Sequence, residues 1–119
     1  MNMHSALKNA LKVGVFGSEG DHCTVRARQI AYEVGRLLAD NHAIVFTGGG
    51  TGVMESAAAG ASEAGGLVIG ILPGNRPSEG HDVSTLMIPT GIGFARSQIL
   101  TNAVDAAILV EGGSGTHQE

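Results

Sequence analysis

Two glycine-rich runs in this chain of 119 residues have the composition of anion-binding loops. Each run follows an apolar segment and precedes a segment with helical periodicity. A helix that starts there presents unpaired N–H groups and the positive end of its dipole, and both attract a phosphate. The other interpretation is a pair of tight strand-to-helix turns that bind nothing. The residues of the two runs are Gly48, Gly49, Gly50, Thr51 and Gly52, then Gly112, Gly113, Ser114, Gly115 and Thr116.

Two charged residues lie next to predicted helix starts, where they could perform chemistry. Arg96 follows the turn at 91–93 and begins a predicted helix, an end where the helix dipole disfavours a cation. It is therefore either a guanidinium that holds a phosphate or ribose oxygen or one half of a surface salt bridge. Glu119 lies one helical turn beyond the second glycine run. It is either a general base that activates water or an acid that merely suits a first helical turn.

The elements that must position these residues alternate between strand and helix patterns. Apolar runs bounded by turn residues predict strands at 12–17, 43–47, 67–72, 86–88 and 106–110. Helical periodicity covers 22–40, 52–64 and 94–104. In the last of these we expect Ala95, Ile99 and Ala103 to face inward, with Leu100 as a further candidate. Nearly continuous apolar strands predict a sheet buried on both faces. The fold class is therefore α/β, a doubly wound, mainly parallel sheet with three Rossmann-like layers.

The domain organisation is a single unit. Residues 1–11 are predicted to be a loosely ordered N-terminus, and residues 12–119 a Rossmann-like phosphate-binding domain. Glu119 falls one turn into a helix that should pack on the sheet. We therefore expect the domain to be truncated at the C-terminus, without its last helix and strand elements, and to expose apolar surface near the closing strand.

Composition excludes several classes of partner. The net charge is −4 with no basic cluster, which argues against nucleic-acid binding. The chain contains neither a signal peptide nor an apolar run of membrane-spanning length. Cys23 is the single cysteine, so we expect a cytoplasmic protein in a reducing compartment. The five histidines lack metal-ligand spacing, and no metal is expected.

Three common cofactor motifs are missing. A Walker A loop needs a lysine after its last glycine, and a classical dinucleotide site needs G-x-G-x-x-G after the first strand. Pyridoxal phosphate needs a Schiff-base lysine. The two lysines, Lys8 and Lys12, do not follow any predicted strand. No cofactor is therefore required, and the expected ligand is a phosphorylated small molecule.

Four segments of the chain resemble the LOG (LONELY GUY) family of the Rossmann-like nucleotide-binding superfamily. They are TGGGTGVMESAAAGASEAGG, ILPG, IPTGIGFAR and EGGSGTHQE. The resemblance implies a homodimer or homotetramer that hydrolyses the N-glycosidic bond of cytokinin riboside 5'-monophosphates. It also implies that the second glycine run holds the phosphate, and that Arg96 and Glu119 are catalytic. The "lysine decarboxylase" label once given to this family does not fit the lysine positions.

Some residues depart from the pattern of the active enzymes. Glu111 replaces a proline, Gln118 replaces a second acid, Ser97 replaces a lysine and Glu55 replaces a glycine. With these residues, the chain is more similar to a bacterial sister group of the family, which also resembles the molybdenum-cofactor carrier protein of algae. The alternative function is therefore a non-catalytic carrier of molybdenum cofactor or a related phosphorylated pterin. Bound nucleoside monophosphate, phosphate and molybdopterin all remain open, as does a purely structural oligomer.

Overall fold

The protein is a five-stranded parallel sheet with helices on both faces. The structure, a computed structural model, describes residues 2–80 and 83–111. The strands are β1 (Lys12–Gly17), β2 (Ile44–Thr47), β3 (Val68–Leu72), β4 (Leu86–Pro89) and β5 (Ala106–Val110). Their order across the sheet is β4-β3-β2-β1-β5, and every neighbouring pair is parallel. The predicted doubly wound α/β fold class is confirmed.

The helices begin slightly later than the sequence pattern predicts. They are α1 (Met3–Lys8), α2 (Val25–Asp40), α3 (Val53–Glu63) and α4 (Arg96–Ala103). Single 3₁₀ turns at Gly20–His22 and Gly93–Ala95 occupy the first residues of the predicted α2 and α4. The segment expected to be loosely ordered contains α1, none of whose residues is buried.

One face of the sheet is covered by α2 and α3, which contact each other through their backbones. Gly35 of α2 lies against the carbonyl oxygen of Ala57, and Gly60 of α3 lies against that of Tyr32. A β-carbon at either glycine would overlap that oxygen. Alanines 27, 31, 57, 58 and 61 fill the same layer over four buried valines of the strands, which are Val15, Val45, Val68 and Val110. Small residues at these positions let both helices lie close to the sheet.

The other face is covered by α4, which is anchored by a single side chain. Leu100 is 1% exposed and packs with Ile44, Phe46 and Ile71. The predictions that Ala95 and Ile99 face inward are wrong, because Ala95 is exposed and Ile99 is 44% exposed. Ala103 is half-buried and packs against the same cluster as Leu100. Neighbouring helical residues point about 100° apart, so only the docking of α4 decides which of two adjacent apolar side chains is buried.

Apolar surface near the closing strand is exposed, as the sequence pattern predicts. Ala106 and Ala107 are exposed, and the side chain of Leu109 is 60% exposed. Over residues 2–80 and 83–111, no helix is long and apolar enough to cross a lipid bilayer.

Candidate functional site

The strand order reverses between β1 and β5. β1 leads through α2 to β2 on one side of it, whereas β5 lies on its other side. The two strands end level with each other, since Gly17 is in register with Val110. In parallel α/β sheets, ligands bind in the crevice outside such a reversal, at the carboxyl ends of the strands. The second glycine run and Glu119 follow β5 directly but lie outside the described residues, so their predicted roles stay predictions.

The first glycine run, 48–52, connects β2 to α3 at this same rim. Gly49 and Gly52 have φ values of +76° and +71°, which L side chains rarely adopt. Gly52 also lies against the preceding strand's loop, since a β-carbon there would be 2.5 Å from the carbonyl oxygen of Ser18. The amide of Val53 donates to that oxygen at 3.1 Å. These two glycines therefore shape the rim and join the loops after β1 and β2.

Several polar groups of the run bind other parts of the chain. The amide of Gly48 donates to the sulfur of Met54 at 3.3 Å, and the amide of Gly49 donates to the hydroxyl of Thr47 at 3.0 Å. A ligand at these two positions would have to displace a hydrogen bond that already exists.

Three further amides of the run differ in exposure, since Thr51 is exposed and Gly50 half-buried, whereas Gly52 is buried. No acceptor for the N–H groups of Gly50, Thr51 and Gly52 is found in the described part of the chain. The hydroxyl of Thr51 accepts from the amide of Gly20 at 3.1 Å, so it fixes the loop after β1. Within the first glycine run, these three amides and the start of α3 are therefore what is left for an anion, and the anion cradle stays a prediction.

Arg96 belongs to α4, the helix that follows the edge strand β4. Its helix follows the loop after β4, which is hydrogen-bonded to the loop after β3. The amides of Gly91 and Gly93 donate to the carbonyl oxygens of Gly74 and Pro73 at 2.8 and 2.9 Å. Together with the buried Leu100, these bonds fix the first turn of α4. Arg96 is the first residue of that turn.

The guanidinium of Arg96 lies directly on Gly48. A β-carbon at Gly48 would be 2.9 Å from each of the Cζ, Nη1 and Nη2 atoms of Arg96. The Nε atom of Arg96 is buried and has no hydrogen-bond partner, and Nη1 contacts the hydroxyl of Ser97 at 3.5 Å. Arg96 forms no ion pair within residues 2–80 and 83–111, so the surface salt-bridge interpretation has no support there. The structure therefore brings together Arg96 and the first glycine run, which the sequence had predicted separately.

Glu19 is a rim residue that the sequence analysis did not include among the site residues. A β-carbon at Gly50 would be 3.1 Å from both Cδ and Oε1 of Glu19. The side chain is exposed. Its negative charge disfavours an anion beside Gly50 and offers an acceptor to an N–H or O–H group there. Its place directly after β1, at a strand's carboxyl end, was the signal available in the sequence.

A parallel sheet that reverses its strand order beside β1, with a glycine-rich helix start after β2 on the same rim, defines an α/β protein of the Rossmann-like class. Residues 10–119 match the SLOG cluster4 family, and the chain belongs to that family.

Its relatives carry two different functions in their names. The chain is 33% identical, over 95 residues, to a cytokinin riboside 5'-monophosphate phosphoribohydrolase of Mycobacterium tuberculosis. That match includes 76% of this chain and half of the relative. The molybdenum cofactor binding protein of Rippkaea orientalis superposes with a TM-score of 0.83 at 36% identity, over 92% of this chain and 68% of that one. The molybdenum cofactor carrier protein of Chlamydomonas reinhardtii superposes with a TM-score of 0.78 at 35% identity, over 93% and 68%.

Proposed function

We propose that the protein binds a phosphorylated, ring-bearing small molecule at the rim formed by the first glycine run and Arg96. The observation that carries the proposal is the buried Nε of Arg96, which has no acceptor among the described residues. A buried donor without a partner costs about 1–3 kcal/mol, more when the group is charged. A phosphate oxygen beside the guanidinium would remove that cost and form a charge-assisted hydrogen bond.

The rim around Arg96 supports the same ligand chemistry. The amides at 50–52 are unpaired within the described residues, and they lie at the start of α3, where the helix dipole favours negative charge. The carboxylate of Glu19 disfavours an anion close to Gly50. The phosphate is therefore expected on the Arg96 side of the run, with the rest of the ligand extending past Glu19.

The first candidate activity is hydrolysis of a nucleoside 5'-monophosphate, as in the named activity of the mycobacterial relative. Water adds to the anomeric carbon, the N-glycosidic bond breaks, and the products are a free base and ribose 5-phosphate. In this mechanism Arg96 holds the sugar phosphate. Glu119 activates water or stabilises the positive charge that develops on the sugar ring.

The second candidate is a carrier of molybdenum cofactor or a related phosphorylated pterin, without turnover. It is favoured by the two structural relatives, of which one is named a molybdenum cofactor binding protein and the other a molybdenum cofactor carrier protein. Glu19 adds a local reason. A pterin presents adjacent N–H donors on its pyrimidine ring, and a carboxylate beside Gly50 is a suitable acceptor for them.

The test is to titrate AMP and inorganic phosphate into the protein by calorimetry and to follow adenine release by chromatography. We expect AMP to bind. Arg96→Ala should weaken that binding about tenfold to a hundredfold, because a charge-assisted hydrogen bond contributes roughly 1.5–3 kcal/mol. Arg36→Ala, an exposed arginine on α2, removes the same charge and should leave the affinity unchanged.

The outcomes separate the candidates. Adenine release that Arg96→Ala abolishes supports the hydrolase. Tight binding of a phosphorylated pterin, with no release of base from AMP, supports the carrier. Folded protein that binds neither AMP, phosphate nor a phosphorylated pterin contradicts the proposal as a whole.

The expected homodimer or homotetramer stays a prediction. Exposed apolar side chains lie next to Arg96, and Phe94 is 93% exposed while Ile92 is 50% exposed. An exposed apolar group of this kind marks the surface where a second copy would pack.

A further inference from the structure

We infer that Gly48 is a positioning residue for Arg96 and that its bare α-carbon is the platform on which the guanidinium rests. This inference deepens the proposed function and rests on it for the role of Arg96. It assigns the first glycine of the run a role different from that of the amides at 50–52, which have no acceptor among the described residues.

The geometry of the contact is that of a flat group lying on a bare peptide. Three atoms of the Arg96 guanidinium are equally far, 2.9 Å, from the position that a β-carbon of Gly48 would occupy. Equal distances to Cζ and to both terminal nitrogens mean that this position lies over the outer end of the planar group, between Nη1 and Nη2. A methyl group there would be too close to all three atoms, so the guanidinium would have to move.

Two other roles for Gly48 are excluded by its surroundings. Its φ lies outside the left-handed region, unlike that of Gly49, so an alanine backbone would fit at position 48 without strain. Its amide donates to the sulfur of Met54, so Gly48 does not offer a free N–H to a phosphate. The remaining reason for glycine at this position is the space that Arg96 occupies.

The platform matters because nothing else on the described chain orients the end of this side chain. Nε has no partner and Nη1 has only the 3.5 Å contact with Ser97. Arg96 also begins a helix, where the dipole does not favour a cation. Contact with Gly48 therefore selects one arrangement of a flexible side chain before the ligand arrives, which lowers the entropy cost of binding.

The experiment is a double-mutant cycle on AMP affinity with Gly48→Ala and Arg96→Ala. We expect Gly48→Ala alone to weaken AMP binding about tenfold, and to weaken it less than about twofold when Arg96 is already alanine. Gly50→Ala is the matched control. Its β-carbon would meet Met54 and Glu19 rather than Arg96, so its effect should add to that of Arg96→Ala. If the Gly48 and Arg96 effects are additive, Gly48 acts independently of Arg96 and the inference is wrong.

A measurement without ligand keeps the inference separate from the proposed function. In amide NMR spectra, Arg96→Ala should shift the Gly48 signal strongly. It should leave in place the signal of Gly65, which follows the C-terminal end of α3 and whose amide donates to Ser62. This measurement also tests the inference if the Gly48→Ala protein does not fold, because it needs only the Arg96→Ala variant. If AMP does not bind but the Gly48 signal shifts, AMP binding is refuted and the platform stands. An unchanged Gly48 signal overturns the platform, whatever AMP does.

Discussion

The two faces of the sheet are covered in different ways. On one face, α2 and α3 form a continuous layer in which many small side chains and two glycines contact the sheet and each other. On the other face, α4 has one buried residue, Leu100, while Ile99 of the same helix is exposed. The first face has many interdependent contacts, whereas the second depends on one anchor.

The difference matters for the site. Gly52 begins α3, so the first glycine run is attached to the closely packed face. Arg96 begins α4, so it is attached to the face with the single anchor. The candidate site therefore combines two supports. The first glycine run is attached to the α2–α3 layer, which tolerates little change in side-chain volume, and Arg96 is attached to α4, which has a single buried residue.

The largest expected effect tests the closely packed face. Gly60→Ala should lower the free energy of unfolding by about 3 kcal/mol, because the new methyl group overlaps the carbonyl oxygen of Tyr32 and forces α2 and α3 apart. Helix propensity alone would give the opposite sign, a gain of about 1 kcal/mol. Urea unfolding followed by circular dichroism measures the change.

Ser62→Ala, at an exposed position of the same helix, is the matched control. It should change the stability by no more than about 0.5 kcal/mol. A Gly60→Ala protein that is more stable than the wild type would show that the two backbones are not in contact.

A smaller expected loss of unfolding free energy tests the contact of Leu100, the buried residue of α4. Leu100→Ala should lower the free energy of unfolding by about 2–3 kcal/mol, since it leaves a cavity beside Ile44, Phe46 and Ile71. Ile99→Ala, one residue earlier, should cost less than about 1 kcal/mol because that residue is already 44% exposed. Both values come from the same unfolding experiment. Equal losses would mean that α4 buries both side chains and that the two faces are packed alike.

The smallest expected effect lies at the end of α2. His42 has φ +63° and is exposed, and it occupies the position after the C-cap where glycine is usual. At the end of α2, the amides of His42 and Ala43 donate to the carbonyl oxygens of Ala39 and Leu38. Helix α3 ends with the equivalent pair, from Gly65 and Gly66 to Ser62 and Ala61, but it has a glycine, Gly65, at the position of His42, with φ +79°. His42→Gly should therefore raise the free energy of unfolding by about 0.5–1 kcal/mol, seen as a higher thermal midpoint. A lower midpoint would show that the histidine side chain stabilises this helix end.

The fold was largely predictable because strand and helix signals are local. Apolar runs bounded by turn residues placed β1 and β5 at their observed bounds, 12–17 and 106–110. The helix starts were less accurate, since a 3₁₀ turn and the first turn of an α-helix have similar sequence patterns. The prediction that Ile99 faces inward was wrong, because the docking of α4 on the sheet, and not helical periodicity, selects which of two adjacent residues is buried.

The site was predictable in its parts but not in its assembly. The first glycine run and Arg96 were both identified from residue type and position. Their contact was not, because β3 lies between the strand that carries Gly48 and the loop that leads to Arg96. Glu19 was missed for the same reason, since its proximity to Gly50 arises only when the loops after β1 and β2 pack together.

The sequence by itself determined the strands, the helices and the rim on which the glycines gather, because periodicity and turn residues act over a few positions. Only the tertiary structure decided which glycine faces a charged side chain, which faces a backbone oxygen and which has an amide without an acceptor among the described residues. These are contacts between segments far apart in the chain. Their distances depend on how helices dock on the sheet, and residue types alone do not contain that information.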